Sequence, residues 1–273
     1  MPAKSVGMPA CHAFWVGPRL GPIHVACLRS VAAVGHPTFL HVYDEPEDAP
    51  ECVTLVDASK LMPRTRYFTD TKTSYPSMFS DLFRYALLRA GLGVYVDCDI
   101  YCLKPIHDAE YIFGWESDIY INGAVLKLPD SAPLLNDLWE AANHPALIPP
   151  WVKLGRRAEL HVKRLVGLHR TADLARFSLG PVALTWYTKQ RGLEAKAKPR
   201  SVFYPIMTKD ARDLVNPNIS ISDVIGPETV TLHCCSSQLL KFNLSEFPKG
   251  SIASAIVRGE LSIPTAVETR QPM

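Results

Sequence analysis

Long apolar runs are missing from this chain: nothing in its 273 residues approaches the roughly 20 needed to span a bilayer. The first residues, MPAKSVGMPACHAFWVG, lack the uninterrupted apolar stretch of a secretory signal. There is little net charge either. A formal +2 and a pI of about 8.1 give no broad argument for nucleic acid, so any basic partner surface must be local. The seven cysteines (11, 27, 52, 98, 102, 234 and 235) are odd in number, and no CxxC pairs recur at zinc-ribbon spacing. Adjacent Cys234 and Cys235 beside His233 admit a zinc reading, but small buried hydrophobes are the favoured one. Internal repeats and low-complexity linkers are also lacking. These absences set the expectation of a soluble protein in a reducing, cytoplasmic location.

What is present is an ordinary globular balance, 47% hydrophobic and 21% charged, enough for one large core. Residues 11–16 read as a strand and Ile23–Val34 as a helix closing at Gly35. Thr38–Tyr43 and Val53–Val56 read as further strands, and this alternation suggests a parallel sheet. A polar loop over 58–73 is long enough to be functional. The next helix has a cap at Ser74, Pro76 in its first turn and Gly91 past its end. Its apolar stripe (Phe79, Leu82, Phe83, Ala86, Leu87, Ala90) leads to a central strand, Leu92–Val96. Strands follow at Tyr111–Trp115 and Ile119–Leu128, then a helix at Ala132–Ala142 and a basic helical stretch at Trp151–His169. Pro181–Gln190 reads as a helix, Ser201–Tyr204 and Thr229–His233 as strands. The simplest organisation is one α/β domain over 1–245 with a basic helical insertion near 151–175. A loosely ordered tail, 246–273, follows.

The chemistry concentrates where the central strand ends in Asp97-Cys98-Asp99. Strand side chains alternate, so two carboxylates two apart emerge side by side, a good site for a hard divalent cation. Open parallel sheets bind ligands outside the carboxyl ends of their strands, which is where this pair lies. Asp81 and Arg84 share a face of the preceding helix, distinct from its apolar stripe. A carboxylate accepts sugar hydroxyl protons, and a guanidinium pairs with phosphate oxygens in a planar fork. Spacing alone leaves this pair equally open to being a plain surface ion pair.

The segment SDLFRYALLRAGLGVYVDCDIYCLKPI resembles the DXD-containing sugar-transferase signature shared by fungal Golgi mannosyltransferases and the catalytic domains of large clostridial glucosylating toxins. The shared positions are Ser80, Asp81, Arg84, Gly93, Tyr95, Asp97 and Asp99. The match is dense over about 30 residues and looser elsewhere. The resemblance implies a GT-A-type nucleotide-sugar-binding fold, an open, mainly parallel twisted sheet flanked by helices. It also implies a nucleoside-diphosphate sugar donor, Mn²⁺ (or Mg²⁺), and transfer with retention to an acceptor hydroxyl on a glycan, a lipid-linked saccharide or a protein, as in polysaccharide biosynthesis. Residue by residue, Asp81 and Arg84 would hold the donor sugar and its phosphate. Asp97 would touch ribose and sugar hydroxyls beside the metal, and Asp99 would bind the metal directly. Tyr95 would line the donor pocket, Ser80 would bond the nucleotide, and Trp15 would stack on the base. Asp44 matches a nucleotide-side position, His233 falls where relatives place a late metal ligand, and Asn122 would meet the transferred sugar or acceptor.

Alternatives accompany these. Asn122-Gly123 is equally a hairpin turn, and His233 equally a satisfied core histidine. Leu92 departs from the family pattern, which has a glycine there, and no Trp closely follows Ser236 and Ser237 to close the donor site. The basic stretch (Lys153, Arg156, Arg157, Lys163, Arg164, Arg170) reads first as a solvated face, and second as a contact for an anionic acceptor or a membrane surface. Two other functions remain. One is a nucleotide-sugar-binding module without turnover. The other is a phosphatase of the haloacid dehalogenase type, disfavoured because its DXD stands near the N-terminus.

Overall fold

The computed structural model describes residues 8–69, 76–242 and 246–261. Its elements run β1 (Cys11–Trp15), α1 (Pro22–Ala33), β2 (Thr38–Val42), β3 (Thr54–Asp57), α2 (Ser77–Arg89), β4 (Val94–Val96), β5 (Ile100–Cys102), β6 (Ile112–Trp115) and β7 (Ile121–Lys127). Then come α3 (Pro133–Asn143), α4 (Leu154–Leu165), α5 (Ala183–Gln190), α6 (Arg200–Phe203), β8 (Thr231–His233), α7 (Ser236–Leu239) and α8 (Ile252–Arg258). Six strands form one sheet in the order β3-β2-β1-β4-β7-β6, in which β7 alone runs counter to the rest. A second, two-stranded sheet pairs β5 with β8 antiparallel. This is the α/β class with the open, mainly parallel, helix-flanked sheet that the resemblance implies.

Alternation along the strands divides the core in two. Phe14, Tyr95 and Leu126 point into a core shared with α2, α3 and α5. Their neighbours Ala13, Val94, Val96 and Val125 point into a second core shared with α1. Being covered on both faces, the central strands are apolar on both faces, as the sequence suggested for Leu92–Val96. The turn into β4 explains Leu92. The Leu92 N–H bonds to Leu87 O at 3.5 Å and the Gly91 N–H to Leu88 O at 3.0 Å, a Schellman closure with Gly91 left-handed at φ 64°. Leu92 itself does not take a positive φ, so no glycine is required there. Gly93 is another matter: a Cβ would lie 2.4 Å from the Ala10 carbonyl oxygen.

Two expectations are corrected, and one strand is additional to those expected. Residues 200–203 are helical (α6) rather than a strand, because Pro199 caps a run too short for its apolar pattern to distinguish the two. β5 went unrecognised, since three residues after a turn carry no period of their own. Part of the tail, residues 252–258, forms α8, capped by Ser251 and buried against α1 through Ile252, Ala253 and Ile256. The expected cap Ser74 lies outside the described residues. Among the described residues no helix is long and apolar enough to cross a membrane.

Candidate active site

From β1 the chain builds outward to β2 and β3, then returns to place β4 on the other side of β1. The crevice beyond the carboxyl ends of strands at such a reversal is where an open sheet binds ligands. Trp15 ends β1 and Asp97 directly follows β4, and both open into a cavity of about 680 Å³. That size suits a small-molecule ligand.

Asp97 and Asp99 come together through a turn, not through strand alternation. The Asp97 N–H is tied to Ala124 O at 2.8 Å, and the Ile100 N–H donates back to Asp97 O at 3.1 Å. β5 starts immediately afterwards, and its pairing with β8 sets Ile100 opposite His233. Consequently one ligand atom from each of Asp97, Asp99 and His233 lies within 4.8 Å of the others. His233 Nε2 is 3.3 Å from Asp99 Oδ1, and the Ser236 N–H donates to Asp99 Oδ2 at 2.8 Å. Burial opposes ionisation of Asp99, but His233 and the Ser236 N–H outweigh it and hold the carboxyl well below its usual range. Burial likewise opposes a charge on His233, yet Cys235 and Asp99 keep its pKa well above the ordinary imidazole value. His233 Nδ1 is buried without a hydrogen-bond partner. Two carboxylates and an imidazole converging on one wall of a cavity are a donor set that fits a divalent cation.

The fold supplies Asp97 with a basic partner from α2. Arg84 Nη2 donates to Asp97 Oδ1 at 3.0 Å, while Nη1 sits 3.4 Å from Asp81 Oδ1. Tyr95 Oη donates to the same Asp97 oxygen at 2.9 Å, and its ring lies beneath the guanidinium, 4.7 Å from centroid to Cζ. Neither Asp81 nor Arg84 is on a solvated face. Both are buried, because the middle of α2 is enclosed by the sheet, α3 and the turn at 178–182. Burial pushes the Asp81 carboxyl up to about 7 despite the opposing pull of Arg84. Two glycines make room for the pair. A Cβ at Gly123 would lie 2.6 Å from Arg84 Nη1, and one at Gly180 would lie 2.6 Å from Asp81 Oδ1.

Other expected residues distribute unevenly. Trp15 lines the cavity half-buried, its ring 4.7 Å from that of His24 and its Nε1 unpartnered. Ser80 lines it too, its hydroxyl donating to Pro76 O at 3.0 Å. Asn122 is inside β7 rather than in a hairpin turn, and its amide donates to Glu116 Oε2 at 2.9 Å. Asp44 stands apart: exposed, paired with Arg64 at 2.7 Å, and absent from the cavity wall. Several lining residues had no sequence signal. Glu116 accepts from Asn122 and from both the N–H and hydroxyl of Thr208, while Arg176 Nε donates to Ser77 Oγ at 3.0 Å beside Asp81.

Comparison with known proteins falls on the same segment. Residues 26–117 match the family described as glycosyltransferase sugar-binding region containing DXD motif. Among solved structures the chain is similar to the PaToxG glycosyltransferase, at 14% identity and a TM-score of 0.45, over 70% of this chain and 74% of that one. No curated protein sequence matches. The matched segment contains Asp81, Arg84, Tyr95, Asp97 and Asp99. About a third of the chain, residues 26–117, is thus similar to the sugar-binding region of the DXD glycosyltransferases.

Proposed function

We propose that this protein is a metal-dependent, retaining glycosyltransferase. It would move a sugar from a nucleoside diphosphate to an acceptor hydroxyl, on a glycan, a lipid-linked saccharide or a protein. The observation that carries the reading is the convergence of Asp97, Asp99 and His233 at the strand-order reversal, inside a cavity that also holds Trp15 and the Arg84 cluster.

Asp99 and His233, with Asp97 beside them, are the residues that would hold Mn²⁺ or Mg²⁺. Such an ion supplies charge stabilisation for a departing diphosphate. Trp15 at the end of β1 presents an aromatic face suited to a nucleotide base. Arg84 neutralises and orients Asp97, so that its second oxygen is left for the donor or the cation. Asn122, fixed by Glu116, points an amide into the same space.

The lining carboxylates favour retention. Asp81 is engaged by Arg84, Glu116 by Asn122 and Thr208, and Asp97 and Asp99 form the cation site. Among the described lining residues this leaves no unengaged carboxylate to act as a general base. The acceptor oxygen would then bond to the anomeric carbon from the side the diphosphate leaves. As the bond from carbon to phosphate oxygen breaks, that oxygen takes the acceptor proton.

The test is a screen of nucleotide sugars for Mn²⁺-dependent hydrolysis, with Asp99→Ala as control. The expected outcome is one preferred donor and a loss of about 100-fold or more in the variant. Equal hydrolysis by both proteins, or turnover indifferent to chelation, would sink the reading. A donor that binds tightly but is never hydrolysed would instead mark a binding module.

A further inference from the structure

α4 is an amphipathic helix mounted with its apolar stripe outward. Leu154, Ala158, Val162 and Leu165 recur at intervals of four, four and three residues, and so share one face. That face is turned to solvent: Leu154 is 80% exposed, Val162 62% and Leu165 85%. The stripe extends past the helix through Val166 and Leu168, 62% and 71% exposed. The helix is anchored from another side by Leu160, the one residue of α4 that is buried.

One flank is basic, where Arg157 and Arg164 border the stripe, while Arg156 and Lys163 lie farther round the helix. Lys153, Arg156, Arg157, Lys163 and Arg164 accompany a single acidic residue, Glu159, which pairs with Arg156 at 2.5 Å and Lys163 at 2.7 Å. A purely solvated face has no use for an outward leucine and valine stripe of this extent. An apolar protein partner would explain the stripe but not the surplus of cations beside it. An apolar face sunk at the headgroup level, with lysine and arginine stems reaching anionic headgroups, accounts for both.

We infer that α4 and the turn after it dock this protein on an anionic lipid bilayer, lying in the plane of the interface. At 12 residues the helix is about 18 Å long, which suits a reversible surface contact rather than a span. Docking is separate from donor chemistry, since none of the stripe residues lines the cavity.

The experiment is sedimentation of the whole chain with phosphatidylcholine vesicles, with and without about one-third phosphatidylglycerol. Two double variants accompany wild type: Val162→Glu/Leu165→Glu and Arg157→Gln/Arg164→Gln. Wild type should partition at least tenfold more strongly onto the anionic vesicles, and less so in high salt. The apolar-face variant should lose at least tenfold in partitioning with its circular dichroism unchanged. The basic-flank variant should lose most of its preference for anionic lipid. Equal wild-type binding to both vesicle types, or an apolar-face variant that binds like wild type, overturns the proposal. So does a wild-type dimer abolished by the apolar-face variant in the absence of vesicle binding, which would make the stripe a protein interface. Donor hydrolysis on the same preparations should be equal in all three proteins, so that failure here is distinguishable from failure of the glycosyltransferase reading.

Discussion

Burial sets an unusual state on Asp81, whose carboxyl is pushed up to about 7 while Arg84 lies alongside it. In the unfolded chain the same group titrates near the ordinary carboxylate value, about 4. Between those values the native state holds a proton that the unfolded state has released, so stability falls as the pH rises through this interval. Asp81→Asn removes that titration. Relative to wild type, the variant should therefore gain melting temperature between about pH 5 and about pH 8. A change of several degrees is expected, at roughly 2–4 °C per kcal/mol in a domain of this size. Parallel melting curves across that range would count against a carboxyl raised by burial. The same variant should lose donor hydrolysis, since Arg84 would no longer be held between two carboxylates. Asp81, Arg84, Tyr95, Asp97 and Asp99 were legible because a dense local motif carries them. Glu116, Thr208 and Arg176 were not, because their partners come from distant segments that only the fold brings near.

At the scale of elements, the sheet and its large helices were readable because each carries enough turns or alternations to show a period. β5, α6 and α8 hold three, four and seven residues, and their character is decided by what they pair with or pack against. The DXD turn shows the same limit. Strand alternation anticipated the two carboxylates side by side, while the actual device is a turn stitched between Ala124 and the β5–β8 pair. β7 and the 178–182 turn contribute mainly by what they omit: glycines at 123 and 180 leave the space that Arg84 and Asp81 occupy. Gly180→Ala would push a methyl group to 2.6 Å from the Asp81 carboxylate, so the carboxylate must move. Displacing a positioned group by about 1 Å costs on the order of 100-fold in rate. The expected result is a large drop in kcat for donor hydrolysis with little change in secondary structure. Gly155→Ala is the control, with nothing within 4 Å of the added carbon. There the exposed helix should gain about 0.5–1 kcal/mol in urea unfolding, with kcat unchanged. Equal kinetics for the two variants would show that the cradle around Asp81 is not needed for activity.

Across the whole molecule, the interior sets its own acid limit through buried histidines, two of them on the sheet face that α2 covers, where the His41 ring packs against Phe83. His12 and His41 stand on neighbouring β1 and β2, with His12 Nδ1 hydrogen-bonded to His41 Nε2 at 3.0 Å. His12 also bonds Leu92 O at 3.0 Å, tying the turn before β4 to the sheet. Burial lowers the pKa of both, and of His36, and carries His41 down to about 4, with His12 adding to the effect. An unfolded histidine takes up its proton near pH 6.5, whereas native His41 resists until about 4. The unfolded state therefore binds more protons in that interval, and stability falls as the pH is lowered through it. For His41 the full loss is about 3 kcal/mol, at 1.36 kcal/mol per pKa unit. Asp81 works in the opposite direction over nearly the same range, so the two groups partly cancel and wild type alone reports neither. His41→Gln keeps a polar group toward His12 and removes the titration. Its urea unfolding free energy, taken as a difference from wild type, should rise as the pH falls from about 7 to about 4 and level off below. Combined with Asp81→Asn, the two difference curves should add, because His41 and Asp81 share no hydrogen-bond partner. A flat His41→Gln difference curve would mean that water or a local opening already lets this ring protonate in the native state.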